Sequence, residues 1–320
     1  MQDRLNMKYG LNKMKVKHSL LSVTQKALAE SFGVDMMVTL SRILIPNYDV
    51  YQRTGFPENI PIPSRDAAAQ IVRDMAALEL FPIFVNLLIK ISTEGYMGRR
   101  YQIHNLRDII REMHNSGLVY DQVNNTFVED VKIAKTPNWG VLRNGSDYVI
   151  SMLRLDIVGN TELVRKYSKT LIESTYSDLR QIVEMASDRR NGRIWSWEGD
   201  GGIIAFYFGN RNKFAALCGI EIVNQLYMYN LKQCRLDSPL KVRIAIHNGA
   251  CQYTNNPESL KKLEIVKKVT EAEANFTKPN TLTITDSVHL SLPSTLTARF
   301  TKNAFDNGTI YYRYEIRTEE

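Results

Sequence analysis

Two aspartates give this sequence its chemical content. Asp156 ends an apolar, strand-like run, Tyr148-Val149-Ile150-Ser151-Met152-Leu153-Arg154-Leu155-Asp156, and the residues after it, Ile157-Val158-Gly159-Asn160-Thr161-Glu162-Leu163, read as a tight turn opening a helix. Asp200 lies between two further strand-like runs, in Trp197-Glu198-Gly199-Asp200-Gly201-Gly202. A carboxylate at a strand tip and another in a glycine-rich turn, about forty residues on, can face each other across neighbouring strands and bind a divalent metal through oxygen. Each alone also has an ordinary structural explanation. A strand-end aspartate is often a helix N-cap, and Gly-Asp-Gly-Gly between strands is often only a hairpin turn.

The elements that must position these groups occupy the second half of the chain. Strand-like runs cover roughly 148–155, 192–197, 202–208, 240–247, 281–285 and 309–316, and helix-like runs cover roughly 160–186, 211–232, 257–275 and 286–291. The order β-α-β-β-α-β is that of the ferredoxin-like fold, with helices on one face of the sheet. The first helix predicts a single stripe of Leu163, Val164, Tyr167, Leu171, Ile172, Leu179, Ile182 and Val183. His247, on an alternating strand, reads as a packed histidine, and Trp195 and Trp197 are expected to share one face of their strand.

The first half differs in texture. Residues 1–17 carry five lysines and arginines with little periodicity, which suggests a frayed tail, and a helical pattern follows from Ser19 to about Ile45. A proline-rich connection through Pro63 leads to Ser64, a candidate N-cap for a helix from Ala67 to Leu80, with a further helix from Ile83 to Ile91. Asn105 is a candidate cap for Leu106 to His114, followed by a hairpin of Leu118-Val119-Tyr120 and Thr126-Phe127-Val128 about Asn124-Asn125. Helix then hairpin is the outline of a winged helix. Arg107 and Arg111 on that helix are offset by Asp108 and Glu112, so the segment reads as a packing or interaction module before a DNA reader. The polar stretch from Pro137 to Ser146 marks the expected boundary between a helical regulatory domain, 1–147, and an α+β domain, 148–320.

Composition narrows the function classes. The net charge of +7 comes from 41 basic and 34 acidic residues, and residues 1–147 hold 18 and 15 of them. Neither half has the basic excess of a dedicated nucleic-acid binder, although a nucleotide needs only a local cluster. The most apolar stretch, Ala76 to Ile91, is interrupted by Glu79, Pro82 and Asn86, and the N-terminus has no continuous apolar core, so the expectation is a soluble, cytoplasmic protein without a membrane partner. Three scattered cysteines, Cys218, Cys234 and Cys251, argue against a disulfide framework or a CxxC zinc site.

Residues 148–316 resemble the class III nucleotidyl cyclase catalytic domain. The resemblance is carried by Leu155-Asp156-Ile157-Val158-Gly159-Asn160-Thr161, by Gly199-Asp200-Gly201-Gly202-Ile203-Ile204-Ala205-Phe206 and by Val242-Arg243-Ile244-Ala245-Ile246-His247-Asn248-Gly249, in the family's order. It implies two divalent ions, Mg²⁺ or Mn²⁺, on Asp156, Asp200 and the backbone carbonyl of Ile157. It implies phosphate contacts from the backbone N–H groups of Val158, Gly159 and Asn160, and a head-to-tail homodimer that turns a nucleoside triphosphate into a 3′,5′-cyclic nucleotide. Base-reading residues would come from the other subunit. The base-reading positions hold Ser196 and Glu264, and the positions of the family's asparagine and arginine pair, which binds ribose and the transition-state phosphate, hold Thr270 and Ala274. Loss of the purine-reading charges points toward a pyrimidine substrate, as in the bacterial antiphage pyrimidine cyclases of this class. The lysines Lys261, Lys262, Lys267 and Lys268 are candidates to replace the arginine as point charges. A different class of function, a cyclase-like domain that binds nucleotide or a protein partner without turnover, follows if they do not.

Overall fold

The computed structural model describes residues 16–122, 124–254, 256–305 and 308–316. The basic stretch 1–15, with most of the expected frayed tail, lies outside the described residues. The chain divides into two compact units between Val141 and Leu142.

The first unit is mainly helical: α1 (His18–Ser31), α2 (Val34–Leu44), α3 (Val50–Thr54), α4 (Ser64–Ala77), α5 (Phe81–Thr93) and α6 (Leu106–Asn115), then the hairpin β1 (Leu118–Asp121) and β2 (Thr126–Glu129). Its core is built from helical spacings, Leu20, Thr24, Ala27 and Leu28 on α1 against Ala67, Ala68, Ile71, Val72 and Met75 on α4, and Phe84, Val85 and Leu88 on α5. The helix expected over 19–45 is interrupted at Phe32 and Gly33, both extended. Ser64 is the first helical residue and does not cap; Pro63 precedes the helix in that role, without a side-chain acceptor. Asn105 holds the cap position of α6 in left-handed backbone (φ +56°), but its side-chain amide donates to Glu30 at 3.3 Å and makes no cap bond. Three of the charged side chains of α6 have local partners. Arg111 pairs with Asp108 at 2.8 Å, and Glu112 accepts from Ser19 and Asn115, bonds that hold its carboxyl below the usual range. Trp139, inside the stretch that reads as polar and turn-rich, is fully buried, and its carbonyl accepts the Glu129 N–H at 3.1 Å.

The second unit contains β3 (Asp147–Ile157), α7 (Asn160–Lys166), α8 (Lys169–Asp188), β4 (Arg193–Glu198), β5 (Gly201–Phe206), α9 (Arg211–Lys232), β6 (Val242–Gln252), α10 (Pro257–Lys261), α11 (Glu264–Phe276), β7 (Thr281–Thr285), α12 (Asp286–His289), α13 (Ser294–Thr297), β8 (Thr301–Ala304) and β9 (Ile310–Tyr314). The sheet order is β4-β5-β3-β6-β7-β9-β8, with only the β6–β7 pair parallel. Its first four strands, with the intervening helices, reproduce the expected β-α-β-β-α-β arrangement, so the α+β, ferredoxin-like reading describes the fold.

Strand alternation sorts the side chains. Leu153, Leu155 and Ile157 of β3, Ile204 and Phe206 of β5, and Ile244 and Ile246 of β6 form one core with Leu179 and Val183 of α8 and Ile222 and Leu226 of α9. The opposite face of β3 and β6 carries Arg154, Asp156 and Arg243 and is covered by α11, whose Ile265, Val266 and Val269 are buried. Each such apolar side chain contributes roughly 1.5–3 kcal/mol on burial.

Several element boundaries differ from the sequence expectation. The run 160–186 is two helices, broken at the extended Ser168, whose hydroxyl accepts the Leu171 N–H at 3.4 Å as an N-cap; Val164 is 55% exposed and leaves the stripe. The run 257–275 breaks similarly at Leu263. Strand β8 carries no apolar alternation in Thr301-Lys302-Asn303-Ala304, which is how a largely exposed edge strand escapes pattern reading. Trp195 and Trp197 do not share a face. The pairing of β4 with β5 slips at Trp195, a bulge that leaves Ile194 opposite Ile204 but Ser196 opposite Ile203. Trp197 then packs with the helix-side core, 5.7 Å from the Arg180 guanidinium, while Trp195 stacks edge-on with Tyr253.

Candidate functional site

The two aspartates meet because β3 pairs with β5. Asp156 is opposite Gly201 and directly follows Leu155, opposite Gly202, so the β4–β5 turn containing Asp200 lies over the end of β3. The Ile157 N–H donates to the Asp200 carbonyl at 3.2 Å and closes this arrangement. Gly201 is required here. A Cβ at this position would overlap the Leu155 carbonyl oxygen and lie 2.9 Å from Asp156 Oδ1, closer than side-chain carbons approach. Asp156 is not a helix cap, since that place before α7 belongs to Gly159, in left-handed backbone at φ +71°.

Both carboxylates are held. Asn160 donates its side-chain amide to Asp200 Oδ2 at 2.6 Å and accepts a short hydrogen bond from the Tyr176 hydroxyl of α8. Burial raises the Tyr176 hydroxyl above its ordinary range, and the charges of Asp200 and Asp156 add to this. Asp156 lies in a network of four charges: Arg243 Nη2 at 3.4 Å and Arg154 Nη2 at 4.0 Å from its oxygens, with Glu273 of α11 bound by Arg243 Nε at 2.5 Å and 3.5 Å from Arg154 Nε. Glu273 is almost wholly buried. Burial, then the charges of Glu273 and Asp200, push the Asp156 carboxyl up, while Arg154 and Arg243 oppose the rise. A carboxyl raised by a second carboxylate in a shared site suits a divalent cation, which removes the repulsion.

A cleft of about 310 Å³ opens beside the pair. It is lined by Arg154, Asp156, Ser196, Glu198, Asp200, Gly201, Gly202, Ile203, Lys261, Val266 and Thr270. The Trp195 bulge is what turns Ser196 toward this face of the sheet, since uninterrupted alternation from Ile194 would direct it to the helix-side core.

The structure therefore brings Asp156, Asp200, Ser196 and Thr270 to one cleft of one chain. Glu264 is not among the lining residues; it is exposed and lies 3.9 Å from Lys268 on its own helix. Ala274 is exposed and off the cleft. Of the four lysines only Lys261 lines it, and it is bound to Glu198 at 2.7 Å. The Val158 N–H, expected to face phosphate, instead donates to the Lys241 carbonyl at 2.9 Å, because the chain at this point still pairs with the segment entering β6. Gly159 and Asn160 open α7 as expected. His247 is half-buried beside Thr285, 3.1 Å from its hydroxyl, and burial and Lys268 lower its pKa, in keeping with a packed residue.

Sequence reasoning missed Arg154, Glu273 and Tyr176. Arg154 left a signal, a cation two residues from Asp156 and hence on the same face of an otherwise apolar strand. Glu273 and Tyr176 left none, because their role depends on which helix packs on which strand.

No group of three or more His, Cys, Asp or Glu side chains positioned for a metal occurs among the described residues, so any ion here would rest on two carboxylates with backbone, water or ligand oxygens completing its shell. No helix among the described residues is long and apolar enough to cross a membrane.

No family model matches the chain, and no curated protein matches it. Among solved structures it is similar to the monomeric guanylyl cyclase domain of the RhoGC fusion protein from the aquatic fungus Blastocladiella emersonii, at 13% identity and a TM-score of 0.44, over 54% of this chain and 98% of that one. It is also similar to an adenylate/guanylate cyclase/hydrolase from Silicibacter pomeroyi (16%, 0.45, 54% and 99%) and to the adenylyl cyclase CyaB from P. aeruginosa (15%, 0.45, 54% and 96%). The structural neighbours are thus class III adenylate and guanylate cyclase catalytic domains, matched over about 54% of the chain.

Proposed function

We propose that the second unit is a nucleotidyl cyclase acting on a nucleoside triphosphate. The observation that carries this reading is the convergence of Asp156 and Asp200 at one cleft whose walls also offer the hydroxyls of Ser196 and Thr270. In the reaction the ribose 3′-oxygen attacks the α-phosphorus. One P–O bond forms as the bond to pyrophosphate breaks; the hydroxyl proton passes to water and the displaced electron pair leaves on pyrophosphate.

The donor set of Asp156, Asp200 and the Ile157 carbonyl is all oxygen and fits Mg²⁺ or Mn²⁺. When bound, such ions lower the pKa of the 3′-hydroxyl and neutralise triphosphate charge. The chain's own residues supply the positioning. Asn160 and Tyr176 fix Asp200, and Arg243 and Glu273 fix Asp156. Gly159 and Asn160 provide N–H groups at the turn after β3, and Val158 is withdrawn from that role. The hydroxyls of Ser196 and Thr270 can each donate or accept, so they read a base edge without a charge. A pyrimidine triphosphate is accordingly the first substrate to test. Homodimerisation, with a second copy closing the cleft, belongs to the same reading, as does an interaction role for the first unit.

Purified full-length protein is incubated with Mn²⁺ or Mg²⁺ and each of ATP, GTP, CTP and UTP, and cyclic product is sought by chromatography, with Asp156→Ala as control. A cyclic nucleotide made by wild type and not by the control supports the reading; no product from any triphosphate defeats it. Activity per protomer should fall on dilution below the dimer dissociation constant. The exposed Ala274 favours a second reading, nucleotide binding without turnover. Its signature is metal-dependent nucleotide affinity, lost in Asp156→Ala, with no cyclic product.

A further inference from the structure

We propose that Arg154 is the phosphate-contacting guanidinium of the cleft, an assignment that rests on the nucleotide reading above. Five charged residues line the cleft: Arg154, Asp156, Glu198, Asp200 and Lys261. Of the two cations, Lys261 is bound to Glu198 at 2.7 Å on the exposed rim, where its charge is largely spent and screened. Arg154 is placed differently. Alternation along β3 puts it on the face of Asp156, between Ile203 of β5 and Ala245 of β6, and its side chain is about one quarter exposed.

Its existing partners hold it loosely. Arg243 occupies the nearer positions on both carboxylates, 2.5 Å from Glu273 and 3.4 Å from Asp156, whereas Arg154 is 3.5 Å and 4.0 Å from the same two groups. The Nε of Arg154 is buried and makes no hydrogen bond. It faces Glu273 Oε2 at 3.5 Å, so the guanidinium is held there by charge and not by a directed hydrogen bond. Two guanidiniums face two carboxylates in this network, and Arg243 holds the shorter distance to each, so Arg154 is the cation that a phosphate in the cleft can engage with least loss to the network. The planar fork of donors matches the oxygens of a phosphate, and its neighbour Asp156 is the residue that would hold the metal on the same polyphosphate. Arg154 thus faces the triphosphate from the strand, and Glu273 behind it orients the side chain.

The test uses the full chain and inorganic tripolyphosphate with Mn²⁺, titrated by calorimetry, alongside cyclic-product formation and melting temperature. Arg154→Ala should weaken tripolyphosphate binding about ten-fold or more while remaining folded, because Glu273 keeps Arg243. Arg154→Lys should regain part of the affinity but not the turnover, since a point charge lacks the fork. Lys267→Ala, exposed and off the cleft, should match wild type. If Arg154 serves only as a structural counter-ion, Arg154→Ala lowers the melting temperature and leaves tripolyphosphate affinity unchanged, which overturns the assignment; so does wild type that binds no tripolyphosphate. Should Arg154→Ala not fold, Arg154→Lys decides, and wild-type affinity together with wild-type turnover overturns the assignment. Cyclic product from wild type with unchanged affinity in Arg154→Ala sinks the arginine alone. Arg154-dependent tripolyphosphate binding without cyclic product sinks the cyclase reading and leaves the arginine in place.

Discussion

Replacing Gly201 by alanine is a sharp test of how the two aspartates are held together. A Cβ is fixed by the backbone, so no rotamer can relieve its overlap with the Leu155 carbonyl or its 3.1 Å approach to Asp156 Cα, and its 2.9 Å approach to Asp156 Oδ1 is relieved only by turning that carboxylate out of place. The β3–β5 pair must open at the Asp156–Gly201 register. Overpacking of this kind costs about 1–3 kcal/mol, and the weakening of a ladder hydrogen bond adds about 1 kcal/mol. A total of about 2–4 kcal/mol corresponds to a fall in melting temperature of roughly 4–16 °C for a unit of this size. The functional loss should be larger than the stability loss suggests, because a displacement near 1 Å at a reacting centre costs on the order of 100-fold in rate. Gly199→Ala is the matched control. Gly199, unlike Gly201, has left-handed backbone, φ +54°, but open space where its Cβ would go, so it carries only the conformational cost of roughly 1–2 kcal/mol. The assays are thermal unfolding and cyclic-nucleotide formation on both variants. Wild-type stability and activity in Gly201→Ala, or a Gly199→Ala variant more damaged than Gly201→Ala, would refute the close-approach argument.

Further outcomes follow from single side chains. Tyr176→Phe removes the donor to Asn160 Oδ1 and should lower activity several-fold for a stability change of about 1 kcal/mol; an unchanged turnover would separate Asn160 from Asp200 function. Trp139→Ala, at a fully buried position, should destabilise the first unit by about 3–5 kcal/mol, read by denaturant unfolding, and a change below 1 kcal/mol would mean that the site collapses without penalty. Burial pushes the Cys218 thiol up to about 12 and Cys251 up to about 11. Because these folded values exceed the ordinary thiol value, the stability they contribute is fully present below about pH 9 and is lost as pH rises toward 11–12, so unfolding free energy should decline across that range. A thiol reagent at pH 8 should modify the half-buried Cys234 first and reach Cys218 only on unfolding; early labelling of Cys218 would contradict its burial.

What the sequence could and could not convey follows from the range of the interactions involved. Asp156, its strand and its face were readable because alternation is a local, period-two property, and the same alternation assigned Leu153 and Leu155 to the core. That rule fails at one inserted residue. The bulge at Trp195 reverses the alternation between Ile194 and Ser196, and this reversal is what places a hydroxyl in the cleft and separates the two tryptophans. Nothing in Arg-Ile-Trp-Ser-Trp-Glu signals it, since the slip is defined only against Ile203 and Ile204 on the neighbouring strand. Helix breaks at Ser168 and Leu263 were obscured for the opposite reason, as apolar spacing continues across them while the backbone turns. The charge network is more remote still, joining Arg154 on β3, Arg243 on β6 and Glu273 on α11. Read along the helix, Ala274 leaves the cleft without an arginine; read across the sheet, a guanidinium stands two residues before Asp156 and lines the cleft. A charge at a cleft is constrained by position in space and not by position in sequence, and the sheet topology here brings a strand guanidinium to the cleft from which the helix position is absent.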